Sequence, residues 1–139
     1  MSTVIGLDFG TTNSALAVGD RQGNITLARF KDGESETTTF KSILYFPSKA
    51  KDSARKLPVV AGPHAIRDYL EADTKGRLIQ SVKSYLASRL FTHTYIDGRG
   101  YTLEELIAII LRQLKEAAEA QFGDLRGGAV VLRHRVSRG

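Results

Sequence analysis

The chain has 139 residues, the length of one ordinary domain or of part of a larger one. Its 42% hydrophobic content is sufficient for a core, and the absence of cysteine excludes disulfides, thiolate metal sites and a cysteine nucleophile. The net charge of +5 comes mostly from four arginines after Asp124, and no basic face is interleaved with aromatic residues, so we expect no nucleic-acid partner. Because the sequence shows neither a signal-peptide pattern nor eighteen consecutive apolar residues, we expect a cytoplasmic chain with no membrane partner.

The first segment with a chemical pattern is residues 4–14, which read VIGLDFGTTNS. A short polar link joins two apolar runs, residues 4–7 and 15–18, and this arrangement predicts a β-hairpin in which Gly10 supplies a positive φ. Such a turn presents consecutive backbone N–H groups and hydroxyls toward one point, which suits a phosphate chain. Asp8, at the end of the first strand, is placed to hold a hydrated divalent cation. The alternative interpretation is an ordinary hairpin whose turn happens to read Gly-Thr-Thr-Asn.

The rest of the first half is predicted to be rich in β-structure. After the hairpin we expect a turn at 21–24, a third strand at 25–30, a turn at 32–33, a polar loop at 35–39, a fourth strand at 42–46 and a charged loop at 48–56.

Helical patterns begin after a short predicted strand at 59–61. Gly62-Pro63 is expected to open one helix, since proline is tolerated in the first turn, and apolar spacing predicts a second helix over 78–90. A turn is predicted at 97–100.

The clearest predicted element is a helix over residues 102–122, with one continuous apolar stripe. Thr102 and Glu105 form a capping-box pattern at its start, and Gly123 is placed to end it in the left-handed conformation. A buried strand is expected at 128–132. The order of elements predicts an α/β fold with a mixed sheet covered by helices.

Three blocks of the sequence together resemble the N-terminal part of the ATPase domain of the seventy-kilodalton heat-shock chaperones, in particular a divergent bacterial branch. This family belongs to the actin-like (ribonuclease H-like) ATPase superfamily. The blocks are IGLDFGTTNS at 5–14, SILYF at 42–46 after the Thr37–Thr39 run, and the long helix from YTLEEL to AAEAQFG with the following AVV. The resemblance places residues 1–131 in the N-terminal portion of that nucleotide-binding domain, mostly in one lobe.

The resemblance implies a set of site residues and ligands. Gly10, Thr11, Thr12 and Asn13 would contact the phosphates of ATP or ADP, and Asp8 would act as the catalytic residue that orients Mg²⁺ through water. Unfolded client proteins and co-chaperones are implied as partners only for a full-length parent.

Some positions depart from the family pattern. The family's lysine near the start of the helix after Gly62 has no counterpart here, and Arg67 is the nearest cation; a guanidinium does not simply replace an ammonium. Phe40-Lys41-Ser42 stands where Pro-Ser is usual. Residues 132–139 form a basic tail, interpreted as an out-of-frame ending, a real tail or an engineered boundary. We therefore expect a fragment that binds nucleotide but does not hydrolyse it alone.

Other function classes remain open on the sequence. The hairpin alone fits the N-terminal part of a sugar or acid kinase of the same superfamily, although the long-helix block favours the chaperones. A stand-alone interaction module and a nonfunctional product are further alternatives. His64, His93 and His134 lie on separate predicted elements without metal-ligand spacing, so solvated or packing roles are expected for them.

Overall fold

The computed structural model describes residues 3–48, 58–82, 93–126 and 128–133. Within these ranges the chain forms strands and two helices, with mixed α/β content as predicted. The elements in chain order are β1 (Val4–Phe9), β2 (Asn13–Gly19), β3 (Ile25–Leu27), β4 (Phe30–Asp32), β5 (Ser35–Thr37), β6 (Phe40–Lys41), β7 (Ile43–Phe46), β8 (Val60–Ala61), α1 (Pro63–Glu71), β9 (Arg77–Gln80), β10 (His93–Ile96), β11 (Arg99–Thr102), α2 (Leu103–Phe122) and β12 (Ala129–Arg133).

The main sheet has the strand order β12-β1-β2-β3, and β6 also pairs with β2. The β1 and β2 strands are antiparallel, so the predicted N-terminal hairpin is confirmed. The β12 strand runs parallel to β1, from Val4 opposite Ala129 to Asp8 opposite Arg133, which makes the sheet mixed as predicted. The prediction that the last strand is buried is wrong, because Val130, Val131 and Leu132 are 60%, 63% and 59% exposed.

The predicted third strand at 25–30 is shorter than expected. The Ala28 N–H still donates to the Leu16 carbonyl oxygen of the main sheet at 2.8 Å. The next N–H, that of Arg29, donates instead to Gln121 Oε1 in α2, so the chain leaves the sheet at this point. Phe30 then begins β4, which pairs with β5 around the predicted turn. The expected polar loop at 35–39 is therefore partly a strand.

A second small sheet has the order β8-β7-β9 and contains the predicted strand at 42–46 as β7. The predicted helix over 78–90 is wrong at its start, because Leu78 and Ile79 lie in β9, opposite Tyr45 and Leu44. Residues 83–90 of that prediction, and nearly all of the predicted loop at 48–56, lie outside the described residues. The predicted turn at 97–100 is shorter than expected: residues 97–98 form the tip of the β10–β11 hairpin, and Arg99 and Gly100 lie in β11.

Both described helices begin as the sequence predicts. Pro63 lies in the first turn of α1, and Thr102 caps α2 by accepting the Glu105 N–H on its hydroxyl at 3.2 Å. Gly123 ends α2 with φ 82°. Neither described helix combines the length and the apolar character needed to cross a bilayer.

The core lies between α2 and one face of the main sheet, here called the inner face. The predicted stripe of α2 is confirmed: Leu106, Ile110 and Leu114 are at most 1% exposed and pack with Ile5 and Leu16 of the sheet. Because side chains alternate along a strand, the next residues of β1 and β2 lie on the opposite, outer face. The loop between these two strands is thus held at one end of a packed sheet.

Candidate functional site

A tight loop between β1 and β2 carries most of the predicted site residues. Phe9 ends the first strand and Asn13 begins the second. The backbone N–H of Gly10 donates to the carbonyl oxygen of Asn13 at 3.0 Å. Thr11 and Thr12 therefore form the two-residue tip of the hairpin.

The prediction that Gly10 supplies a positive φ is wrong, since the glycines with positive φ lie elsewhere in the chain. Glycine is needed there for a different reason: a Cβ at Gly10 would overlap the carbonyl oxygen of Asn13. Because that obstacle is backbone rather than the end of a flexible side chain, it cannot move aside without opening the loop.

Ser42, which is fully buried, fixes the loop from the neighbouring chain segment. Its backbone N–H donates to the carbonyl oxygen of Thr12 at 2.9 Å, and its Oγ donates to the carbonyl oxygen of Gly10 at 3.0 Å. With the Gly10–Asn13 bond, these contacts engage the carbonyl oxygens of Gly10, Thr12 and Asn13. Sequence analysis identified Ser42 only as the start of a strand and missed this role.

The backbone N–H groups of Thr11 and Thr12 have no acceptor among the described residues. The Thr11 side chain is half-exposed, and those of Thr12 and Asn13 are exposed. With three of its carbonyl oxygens engaged and the N–H groups of Thr11 and Thr12 open, the loop presents donors to solvent. This is the arrangement that binds oxygen atoms of an anion.

Asp8 and Asn13 lie on the same, outer face of the main sheet. Asp8 is opposite Ala15 in the β1–β2 ladder, and Asn13 is two residues from Ala15. Such diagonal neighbours have Cα atoms about 7–8 Å apart. Both side chains are exposed. The structure thus brings the predicted carboxylate and the predicted loop together at one end of one face.

Lys41 lies on this face too and was missed as a site residue. The short β6 strand places Lys41 directly opposite Asn13, and Phe40 opposite the buried Ser14. Directly opposite residues of an antiparallel pair point to the same side of the sheet. The sequence shows a lysine next to Ser42, but its position opposite Asn13 follows only from the pairing of β6 with β2.

Arg67 is held away from the loop by other contacts. Its Nε lies 3.9 Å from a carboxylate oxygen of Glu71, and its guanidinium packs against Gly33 so closely that a Cβ there would overlap it. It shares with Lys41 a shallow groove between α1 and Asp32 of β4. The described contacts therefore assign Arg67 to the β4–β5 turn.

The described residues contain no group of three or more His, Asp or Glu side chains placed to hold a metal ion. His64 lies on α1 and His93 on β10, whereas His134 lies outside the described residues. A Mg²⁺ near Asp8 would therefore take its other ligands from water and from the anion that it accompanies. No protein-family model matches this chain.

Proposed function

We propose that this chain binds the phosphates of ATP or ADP through residues 8–13, with Mg²⁺ held through water by Asp8. In this proposal the chain forms one wall of the nucleotide site in an actin-like ATPase lobe of a heat-shock-type chaperone, acting in the cytoplasm. Unfolded client proteins and co-chaperones are partners of the full-length parent only. The observation that carries the proposal is the hydrogen-bonding state of the loop tip.

Phosphate oxygens are strong acceptors and bind best to donors that are already oriented. Ordering a flexible loop on binding costs conformational entropy and reduces the affinity. The tip is ordered before any ligand arrives, since Ser42 and the Gly10–Asn13 bond restrain it from both sides. The free N–H groups of Thr11 and Thr12 then match the acceptor oxygens. An ordinary hairpin turn needs no buried serine bonded to two of its carbonyl oxygens.

The proposal is for binding without hydrolysis by the isolated chain. Phosphoryl transfer depends on charges positioned around the transferred group from several directions. Residues 8–13 supply one loop and one carboxylate on an open face. An open site buries little of its ligand, so we expect a dissociation constant on the order of millimolar.

The test is an NMR titration of the ¹⁵N-labelled chain with Mg-ATP. Amide shifts should concentrate at residues 8–13 and should weaken when Mg²⁺ is chelated. Asp8→Asn should reduce the Mg²⁺ dependence, while Asp73→Asn, a change of the same charge on an exposed residue away from the loop, should leave the titration as in the wild type. Shifts confined to the C-terminal arginines would mean nonspecific charge attraction and would refute the proposal.

A further inference from the structure

The outer face of the main sheet carries a cation beside the loop, and this cation is Lys41. Its backbone is fixed by the β6–β2 ladder opposite Asn13, and the next residue, Ser42, is bonded to the loop carbonyls of Gly10 and Thr12. Lys41 and the loop tip are therefore parts of one hydrogen-bonded unit. The register therefore fixes the backbone of Lys41 relative to the tip, and the ammonium is carried on a flexible four-carbon stem.

Lys41 and Asp8 flank the loop from two sides. The β1 and β6 strands lie on opposite sides of β2, and two strand spacings separate their backbones by about 10 Å. Side chains carried on backbones this far apart can leave space between the carboxylate and the ammonium for a hydrated Mg²⁺ and a chain of phosphates. A single phosphate held at the loop tip would not need to reach both.

Among the described residues, none forms an ion pair with Lys41. Its side chain is half-buried and lines the groove between α1 and Asp32 of β4, and the ammonium lies at the end of a flexible four-carbon stem that can turn toward a ligand at the loop. Lysine binds phosphate as a point charge with three donors and so tolerates more than one phosphate geometry.

Resting on the proposed function, we propose that Lys41 binds the phosphate of the nucleotide farthest from the sugar and thereby selects di- and triphosphates over monophosphates. Asp8 acts at the other end through Mg²⁺, and the N–H groups of Thr11 and Thr12 bind the oxygens between them. The affinity of the site for a nucleotide then depends on the length and charge of its phosphate chain.

The experiment measures the affinity of the ¹⁵N-labelled chain for Mg-ATP, Mg-ADP and AMP in Lys41→Met, Lys41→Arg and the matched control Lys31→Met. Lys31 is an exposed lysine of β4 on a different hairpin. Removing a charged donor should weaken Mg-ATP about tenfold in Lys41→Met. Lys41→Arg should keep most of the affinity, Lys31→Met should match the wild type, and AMP should bind all four proteins equally.

The outcomes separate this inference from the proposed function. If Mg-ATP shifts no amide at residues 8–13 in the wild type, the proposed function fails and the role of Lys41 fails with it. If Lys41→Met gives the loop shifts at full affinity, or if AMP weakens as much as Mg-ATP, the loop remains a nucleotide site and the role of Lys41 is overturned. Thermal melts of the variants by circular dichroism, with Lys41→Arg as reference, separate loss of binding from loss of fold.

Discussion

The side-chain amide of Gln113 in α2 accepts the backbone N–H of Ala61 on Oε1 at 2.7 Å. The same amide donates from Nε2 to the carbonyl oxygen of Val59 at 2.8 Å. One half-buried side chain thus pairs with the backbone of the β8 segment as a neighbouring strand would. This contact joins the helix to the small sheet and brings β8 into position before α1.

Gln113→Glu should destabilise the fold by about 1–3 kcal/mol, because the carboxylate keeps the acceptor but loses the donor and faces the Val59 carbonyl oxygen. Gln121→Glu is the matched control: Gln121 uses only its Oε1, which accepts the Arg29 N–H at 2.8 Å, and a carboxylate can do the same. Urea unfolding of both variants measures the difference. Equal stability of the two would show that the donor half of the Gln113 bridge contributes nothing.

A second prediction concerns the loop glycine. Gly10→Ala places a methyl group into the carbonyl oxygen of Asn13, so it should cost about 1–3 kcal/mol and weaken nucleotide binding. Gly6→Ala, in the middle of the preceding strand β1, meets only the Ala17 Cβ at 3.8 Å and should be tolerated. Unfolding midpoints together with the Mg-ATP titration provide the measurement. A Gly10→Ala chain that folds and binds like Gly6→Ala would contradict the overlap.

The hairpin and the long helix were predictable because their signals are local. Residues 4–14 contain two strands and the turn between them, and the cap at Thr102, the apolar stripe and Gly123 all belong to one helix. Each of these elements is decided by neighbours in sequence, so its type follows from spacing and turn chemistry. Only the predicted positive φ of Gly10 was wrong. A glycine that is needed for a close approach of two backbone segments looks the same in the sequence as one that is needed for a positive φ.

The prediction of the second helix was wrong at its start because a short apolar run fits the periodicity of a helix and that of a strand equally well. Leu78 and Ile79 are two apolar residues whose state is decided by pairing with Tyr45 and Leu44, more than thirty positions earlier. The polar strands β4, β5, β10 and β11 were missed for a related reason. Their turns were visible, but their flanks lack the alternation of a half-buried strand.

The same distinction applies to the candidate site. Asp8, Gly10, Thr11, Thr12 and Asn13 are contiguous and could be identified together. Lys41 and Ser42 reach the loop only because β6 pairs with β2, a contact between segments far apart in sequence. Sequence pattern predicted the loop, and the tertiary pairing supplied the residues that support it.

A third prediction tests the cap of α2. Thr102→Ala removes the hydroxyl that accepts the Glu105 N–H at 3.2 Å, so it should cost about 1 kcal/mol of stability. Thr102→Ser keeps the acceptor and should recover most of that loss. Chemical unfolding compares the two, and an alanine variant as stable as the serine variant would show that solvent satisfies the helix end equally well.

The last prediction is a pH dependence at the end of α2. Hydrogen bonds from the Arg126 side chain, with Nη2 2.8 Å from Oδ2, and from the Arg126 backbone N–H together lower the pKa of the Asp124 carboxyl to about 2. Since the folded pKa lies below the unfolded value, the contribution to stability is complete above about pH 4 and is lost between about pH 4 and about pH 2.

A carboxyl ¹³C titration measures the pKa of Asp124 directly. Arg126→Met should raise it only part of the way to 3.8, because the backbone N–H bond at 2.9 Å remains. Arg29→Met, which removes an exposed arginine paired with Glu36 instead, should leave it unchanged. The pair is exposed, so added salt should shift the Asp124 pKa back toward its ordinary value. An Asp124 that titrates near 3.8 in the wild type at low salt would contradict the pairing.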